Sequence, residues 1–348
     1  MNTSSLPKLL IVTLAAGGLL LQTASALITI DTVPVGNAGN AAFRGLGAVG
    51  YDYAIGKYEV TLDQYTLFLN AVGADDTYGL YNTQMGSNPN IMGISRSGVS
   101  ESYTYSVIGS GNRPVTYVSW YDSARFVNWL HNGQPVGAQT AGTTETGAYT
   151  LTGNTGIITR NAGWTYGLPS ENEWYKAAYH QPVSLGGDSD NYWLYPTRSN
   201  VAPNSRNGSD SDPNSANFFQ DYRIANGFNG GYAVSQSTSY SSSQQYLTAV
   251  GAFSLADSFY GTFDQGGNVW EWNDALIGGT ARGLLGGSWK NQQNFYPVSI
   301  SSGPAFEFDV FGFRIASVPE PSVGGLMMLG MALVAWKRKG KVEGEARR

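Results

Sequence analysis

Three segments of the chain begin with a helix-start signal and continue with an apolar face at helical spacing. Thr61 is followed three residues later by Gln64, and Ser170 by Glu173, which is the capping-box pattern of a helix N-terminus. Ser119 is a suitable N-cap for the remaining segment. The apolar positions behind the caps are Leu62, Tyr65, Leu69 and Val72; Trp120, Ala124, Val127 and Leu130; and Trp174, Tyr175, Ala177 and Ala178. This spacing predicts three helices that pack against a core.

The strand signals are shorter and separated by long polar stretches. Residues 54–60 and 115–118 predict strands. Residues 73–111 and 181–250 are rich in Gly, Ser, Asn and Tyr, which indicates loops, with a hairpin possible in the first stretch. His131 and His180 follow predicted helices, where a helix-dipole partner or a solvated residue is a simpler interpretation than a metal ligand.

The first 26 residues have the pattern of a secretory signal peptide. Lys8 precedes an apolar run over 9–21, and Ala24-Ser25-Ala26 is a small-residue cleavage pattern. The alternative is a short buried helix. The sequence therefore predicts export through the inner membrane.

The last 31 residues, 318–348, have the pattern of a sorting segment. Val318-Pro319-Glu320-Pro321 precedes a 15-residue apolar stretch over 322–336 and the basic cluster 337–339. This arrangement resembles the PEP-CTERM signal, which implies recognition and removal by exosortase machinery. The stretch is short for a transmembrane helix, and its basic tail is expected to stay cytoplasmic. The alternative is a permanent C-terminal anchor, so the protein is expected at the cell surface or secreted.

Composition narrows the possible chemistry. The chain has no cysteine and two histidines, which excludes disulfides, thiolate metal sites and cysteine nucleophiles. Residues 1–26 hold one basic residue, and residues 319–348 hold six basic and three acidic ones, so the middle retains 13 basic and 22 acidic residues and a net charge of −9. No nucleic-acid partner is therefore expected, whereas cations and neutral hydroxyl-rich ligands remain as ligand classes.

Six motifs occur in an order that is typical of one family: IGKYEVT at 55–61, PVTYVSWYD at 114–122, LPSENEW at 168–174, GNVWEW at 267–272, GGSW at 286–289 and GFR at 312–314. Together they resemble the formylglycine-generating, sulfatase-modifying enzyme family. The resemblance covers about residues 50–317 of a domain that we place at 27–317. It implies an α+β domain of the C-type lectin-like complex fold, loop-rich, with few helices and twisted antiparallel strands.

The resemblance also implies structural calcium. Carried over by position, the calcium ligands are Asp264, Gly267, Val269 and Glu271. Asp264 and Glu271 would bind through their side chains, and Gly267 and Val269 through their backbone carbonyls. The alternative for Glu271 is a buried acid satisfied by backbone N–H groups. A second calcium site would map to Asn217, Phe218 and the turn 226–228, where Asn226 replaces an expected Asp.

The chain departs from the family at the positions that carry its chemistry. In the oxidases, two cysteines three and eight residues after the Ser of the GGS motif bind copper and the substrate thiol. Counted from Ser288, those positions hold Asn291 and Tyr296, and Gly167 replaces the usual Arg before Leu-Pro. No copper is therefore expected, because neither side chain is a soft thiolate ligand.

These observations favour a non-catalytic, calcium-stabilised binding protein at the cell surface or in the extracellular matrix. Extracellular polysaccharide or a cell-surface protein is the expected partner, with Trp193 and the tyrosines between 222 and 260 as candidates for stacking on sugars. The alternatives are an enzyme that uses the same cleft, near Ser288, with thiol-independent chemistry or another metal, and a purely structural matrix component.

Overall fold

The computed structural model describes residues 27–151, 157–205, 212–220, 230–291 and 300–318. The predicted signal peptide and all of the predicted sorting segment beyond Val318 lie outside these residues. Within them, no helix combines the length and the apolar composition that crossing a membrane requires.

The described residues form four α-helices, many short strands and extensive loops. The helices are α1 (Leu62–Val72), α2 (Gln84–Ser87), α3 (Trp120–His131) and α4 (Glu171–Tyr179). The strands before α4 are β1 (Thr32–Val35), β2 (Tyr53–Gly56), β3 (Ile94–Ser97), β4 (Thr104–Val107) and β5 (Tyr166–Gly167). Those after it are β6 (Phe219–Gln220), β7 (Gly231–Tyr232), β8 (Trp270–Ile277), β9 (Ala281–Leu285), β10 (Ile300–Ser302), β11 (Phe311–Phe313) and β12 (Ala316–Ser317). This architecture agrees with the expected loop-rich fold with few helices.

The predicted helix starts are confirmed by their hydrogen bonds. Thr61, Ser119 and Ser170 each accept the backbone N–H of the residue three positions on, and each completes a capping box. The box at Ser119 closes through Asp122, an acid in place of the usual Glu or Gln. Side-chain capping therefore fixes where all three long helices begin.

The strand prediction over 115–118 is wrong, because the segment is held by loop contacts. The N–H of Val115 bonds to the carbonyl of Val60 at 3.0 Å, but Tyr117 has a left-handed backbone with φ of 56°. The chain therefore turns at Tyr117 instead of continuing as an extended strand. The hairpin expected between 73 and 111 is present as β3 and β4.

Two four-stranded sheets join distant parts of the sequence. The first sheet has the strand order β1-β2-β12-β5, and the second sheet has the order β10-β9-β8-β11. Every strand pair is antiparallel except β8 with β11, which is parallel and places Gly312 opposite Glu271. This exception to the expected antiparallel arrangement brings the GFR motif alongside the GNVWEW motif.

The main core is aromatic and lies between helices α1 and α3 and the second sheet. The rings of Phe68 and Phe126 meet edge to face at 5.3 Å, and Phe126 contacts Phe313 at the same centroid distance. Trp120 and Trp272 are fully buried, and their indole N–H groups donate to backbone carbonyls. The motif tryptophans therefore serve the scaffold.

Asp122 gives the fold a pH dependence that can be measured. Burial, reinforced by the charge of Glu307, raises the pKa of Asp122 to about 7. Between pH 4 and 7 the folded chain then holds a proton that the unfolded chain has lost, so this group's contribution to stability falls as the pH rises.

We expect Asp122→Asn, which stays neutral, to gain stability relative to the wild type as the pH rises from 4 to 7. The gain should not exceed about 1.4 kcal/mol per pH unit. Urea unfolding of both proteins at several pH values measures it, and parallel stability curves would contradict this account.

Candidate functional site

A buried ion pair between Glu271 and Arg314 joins two of the six sequence motifs, GNVWEW and GFR. The guanidinium donates to both carboxylate oxygens, from Nε to Oε2 at 2.5 Å and from Nη2 to Oε1 at 2.7 Å. The indole N–H of Trp174 also donates to Oε2, at 2.7 Å. All three side chains are fully buried. The carboxylate is therefore satisfied by side chains, not by the backbone N–H groups considered from the sequence.

The remaining donors of Arg314 reach three backbone carbonyls. Nη1 donates to Gly56 at 3.0 Å and to Lys57 at 3.4 Å, and Nη2 donates to Phe263 at 2.8 Å. With the two bonds to Glu271, each of the five guanidinium N–H groups has an acceptor. The pair thus joins β8, the end of β2 and the loop before the GNVWEW motif.

The turn of the GNVWEW motif is locked by backbone bonds and close packing. The N–H of Gly267 bonds to the carbonyl of Gly286 at 2.8 Å, and that of Asn268 bonds to the carbonyl of Asn217 at 2.7 Å. A Cβ at Gly267, where φ is 97°, would lie 2.3 Å from the carbonyl oxygen of Asn217. Only glycine fits this position, because any side chain would collide with backbone.

Two further acids, Glu59 and Asp264, lie close enough to Glu271 to affect each other's charge. Among the described residues, Oε1 of Glu59 is buried without a hydrogen-bond partner, and Oε2 accepts one bond, from Asn268 at 3.3 Å. Burial and the charges of Asp264 and Glu271 raise the pKa of Glu59 well above its usual range. Burial also raises the pKa of Asp264 to about 6. The site therefore holds three acids and one arginine.

The residues fit calcium in part. Asp264 uses Oδ2 to accept from Gly251 and lines a small cavity of about 10 Å³, roughly the space of one water molecule. Oε1 of Glu59, which has no hydrogen-bond partner among the described residues, is a second oxygen that could bind calcium. Glu271 is paired with Arg314, and its Oε1, which accepts a single hydrogen bond, is the oxygen that could also bind a metal ion. In the described residues, no three acidic or histidine side chains form a metal site by themselves. A calcium ion here would need backbone carbonyls, for which Gly267 and Val269 are candidates.

The residues proposed for a second calcium ion serve other contacts where they are described. The amide of Asn217 donates to Tyr246 and to the side chain of Asn268, both at about 3 Å. Phe218 is fully buried in a cluster with Tyr195 and Ala216. The turn 226–228, including Asn226, lies outside the described residues.

Asn291 and Ser288 are in direct contact in the structure. Oδ1 of Asn291 accepts from Ser288 Oγ at 2.6 Å and from Trp270 Nε1 at 2.7 Å. The backbone carbonyl of Asn291 accepts from Phe219 at 3.1 Å. Tyr296 lies outside the described residues. The position that resembles a family cysteine is thus an amide fixed by two donors.

Gly167 has a structural explanation. Arg160 lies against it, so that a Cβ there would come within 3.0 Å of Arg160 Cδ. The Arg160 guanidinium forms ion pairs with Glu173 and Asp274, each at 3.1 Å. Arg160 therefore supplies an ionic contact beside Gly167, the position at which the family resemblance implies an arginine.

Sequence reasoning missed the roles of Glu59 and Arg314, although both lie in quoted motifs. The available signal was a charged residue inside an apolar segment: Glu59 precedes Val60, and Arg314 follows Phe313. Charged residues in such positions are rarely fully buried unless they are paired. The pairing itself depends on the parallel register of β8 and β11, which the sequence does not specify.

We expect Glu271→Gln to cost about 3–5 kcal/mol of unfolding free energy, because it leaves Arg314 buried without a counter-charge. The exposed Glu101 provides a control, since Glu101→Gln should stay within about 0.5 kcal/mol of the wild type. Urea unfolding measures both. Equal stability of the two variants would show that the pair is not central to the fold.

Comparisons with known proteins identify the family. The sequence model of the sulfatase-modifying factor enzyme 1-like domain matches residues 28–318. Similar solved structures include the crystal structure of CarF, with 21% identity over 84% of this chain and 100% of that chain and a TM-score of 0.48. Variable protein 1 of Treponema denticola has 19% identity over 85% of this chain and 97% of its own, with a TM-score of 0.43. PvdO from Pseudomonas aeruginosa has 16% identity over 78% of this chain and 82% of its own, with a TM-score of 0.39.

No curated protein sequence matches the chain. On the family model, which spans most of its length, the chain belongs to the sulfatase-modifying factor enzyme 1-like domain family.

Proposed function

We propose that the chain is an exported, calcium-stabilised binding protein of the cell surface or extracellular matrix that lacks the oxidase chemistry implied by its family. The observation that carries this proposal is the environment of Asn291. Its amide oxygen accepts from Ser288 and Trp270 at the position where the family resemblance implies a copper-binding thiol. The side chain thus supports the local structure.

The chemistry of an amide supports this assignment. Copper(I) selects soft thiolate or thioether ligands, and disulfide exchange with a substrate requires a thiolate. The chain contains no cysteine at any position. An amide whose oxygen already accepts two hydrogen bonds can hold the loop and donate to a ligand hydroxyl, but it cannot replace a thiol in an oxidation.

A row of three stacked rings, buried at Trp289 and Tyr246 and exposed only at Tyr240, lies beside this position and favours binding. The rings of Trp289 and Tyr246 are parallel at 4.7 Å, and Tyr246 in turn stacks on Tyr240 at 5.9 Å. Tyr240 is 52% exposed, whereas the candidate Trp193 is half-buried and donates to Gln181. Stacked rings that end at the surface offer an apolar face to a sugar. Extracellular polysaccharide is therefore the proposed partner, with a cell-surface protein as the second class.

Calcium would stabilise this body by balancing its buried acids. Ionised Glu59, Asp264 and Glu271 with Arg314 carry a net charge of −2, which one divalent cation neutralises. Asp264 and Glu59 would hold the ion, with carbonyls of Gly267 and Val269 and with Oε1 of Glu271. Binding there would stabilise the ionised carboxylates and so offset the burial and repulsion that raise the pKa values of Glu59 and Asp264.

The ends of the chain support export and sorting. The signal-peptide pattern over 1–26 and the PEP-CTERM-like pattern over 318–348 fit transfer across the inner membrane and recognition by exosortase-type machinery. The acidic middle of the chain fits neutral or cationic ligands better than nucleic acid.

We expect the protein to be retained on immobilised neutral exopolysaccharide in 1 mM calcium, and to be released by a chelator. Asp264→Asn should lose the calcium-dependent part of retention. Asp190→Asn should behave as the wild type, because its carboxylate likewise accepts one backbone N–H, from Tyr192, but lies outside the site. Failure of the wild-type protein to bind polysaccharide in calcium would contradict the proposed function.

A further inference from the structure

A second pocket, separate from the residues around Asn291, has the lining of a ligand site. We call it the loop pocket. It has a volume of about 300 Å³, at the lower end of the range for small-molecule sites. Its lining residues are Asn37, Ala38, Gly39, Asn40, Ala41, His180, Pro182 and Asn191. None of them belongs to the site described above.

Hydrogen bonds from Lys176 and Asn40 support the wall of the loop pocket. Lys176, buried beneath it, donates from Nζ to the carbonyl of Asn37 at 3.0 Å. Asn40 donates to Gly47 and to the hydroxyl of Tyr192, both at 2.7 Å, so its amide holds the loop in place. A pocket that is already formed loses less entropy when a ligand binds.

Three polar side chains of the pocket have hydrogen-bonding capacity left over. Asn37 donates from Nδ2 to Tyr260, and in the described part of the chain its Oδ1 accepts no hydrogen bond. Asn191 accepts from Val183 at Oδ1, and among the same residues its Nδ2 makes no hydrogen bond. His180 contacts the Tyr260 hydroxyl through Nδ1 at 2.8 Å, which leaves Nε2. One acceptor, one donor and one imidazole nitrogen therefore remain for a ligand.

The imidazole of His180 adds no charge to the pocket. Burial, with the nearby charge of Lys176, lowers the pKa of His180 to about 4, so the ring is neutral at pH 7. It is only 4% exposed and lies parallel to the ring of Tyr260. The sequence interpretation of His180 as a charged helix-end partner or a solvated residue is therefore wrong.

The lining selects a neutral, hydroxyl-rich ligand. No acidic, lysine or arginine side chain lines the pocket, and the Lys176 ammonium beneath the wall already donates to the carbonyl of Asn37, so a charged ligand would lose its hydration without contacting a counter-charge. An apolar ligand would leave the amides of Asn37 and Asn191 unpaired. A hydroxyl group both donates and accepts, and the C–H faces of a sugar ring can pack on Ala38, Ala41 and Pro182.

We propose that the loop pocket binds one neutral hexopyranose unit through Asn37, His180 and Asn191. This inference rests on the proposed function for one point, namely that the hexopyranose is a unit of the extracellular polysaccharide. The pocket itself can be tested with monosaccharides.

The full-length protein is titrated with the methyl glycosides of D-glucose, D-galactose and D-mannose, and binding is followed by ligand-observed NMR. We expect saturable binding of at least one glycoside. Asn191→Asp keeps the acceptor for Val183 but replaces the free donor with an acceptor, so it should weaken binding at least tenfold. Ala38→Trp, which fills the pocket from an exposed position, should abolish binding without changing the Tm.

Asn172→Asp is the matched control. Asn172 likewise accepts a backbone N–H at Oδ1, from Gly47, and lies outside the pocket lining. This variant should bind as the wild type does. The proposal is overturned if no glycoside binds saturably, or if Asn191→Asp and Ala38→Trp bind as tightly as Asn172→Asp.

Polysaccharide retention separates this proposal from the wider function. If the wild type is retained on the polymer but Asn191→Asp binds glycosides as tightly as the wild type does, the sugar site in the loop pocket is overturned and the wider binding function is not. Pocket-dependent glycoside binding without polymer retention would support the pocket and contradict the proposed polymer partner.

Discussion

The described structure depends on one buried ion pair, Glu271 with Arg314. Removing two charges from water is costly, and the cost is offset here because each guanidinium N–H has an acceptor and the carboxylate accepts three donors. The geometry requires strand β11 to lie parallel to β8 and the end of β2 to pass beside both. A single interaction therefore connects the first motif, IGKYEVT, and the last motif, GFR, with the GNVWEW motif.

This arrangement explains how the fold can persist without the family's thiols. Asn291 and Ser288 lie after the second sheet's central strands, and their mutual bond and the bond from Trp270 replace a reactive group with a supporting contact. The buried pair and the glycine turn at Gly267 do not depend on those positions. The body of the domain therefore needs no thiol at these positions, and its surface aromatics and pockets are the features on which we base the proposed function.

The sequence predicted the parts of the structure that are set locally. Capping boxes at Thr61 and Ser170 and the cap at Ser119 placed the three long helices, because side-chain capping is a short-range effect. Features set by long-range contacts were not predictable. The segment 115–118 turns at Tyr117, and the burial of Glu59 beside Asp264 and Glu271 needs the tertiary fold. His180 shows the same limit, since its neutrality results from packing against Tyr260 and from Lys176 below it.

We propose that the chain keeps the scaffold of its family together with a structural calcium ion, and that it lacks thiol-based copper chemistry. The most direct measurement is the elemental content of the full-length protein, purified from its native compartment without chelators and analysed by inductively coupled plasma mass spectrometry. We expect calcium at about one equivalent per chain, as the single ion proposed beside Asp264 requires, with copper and iron far below one equivalent. Stoichiometric copper or iron, or the absence of calcium, would contradict it.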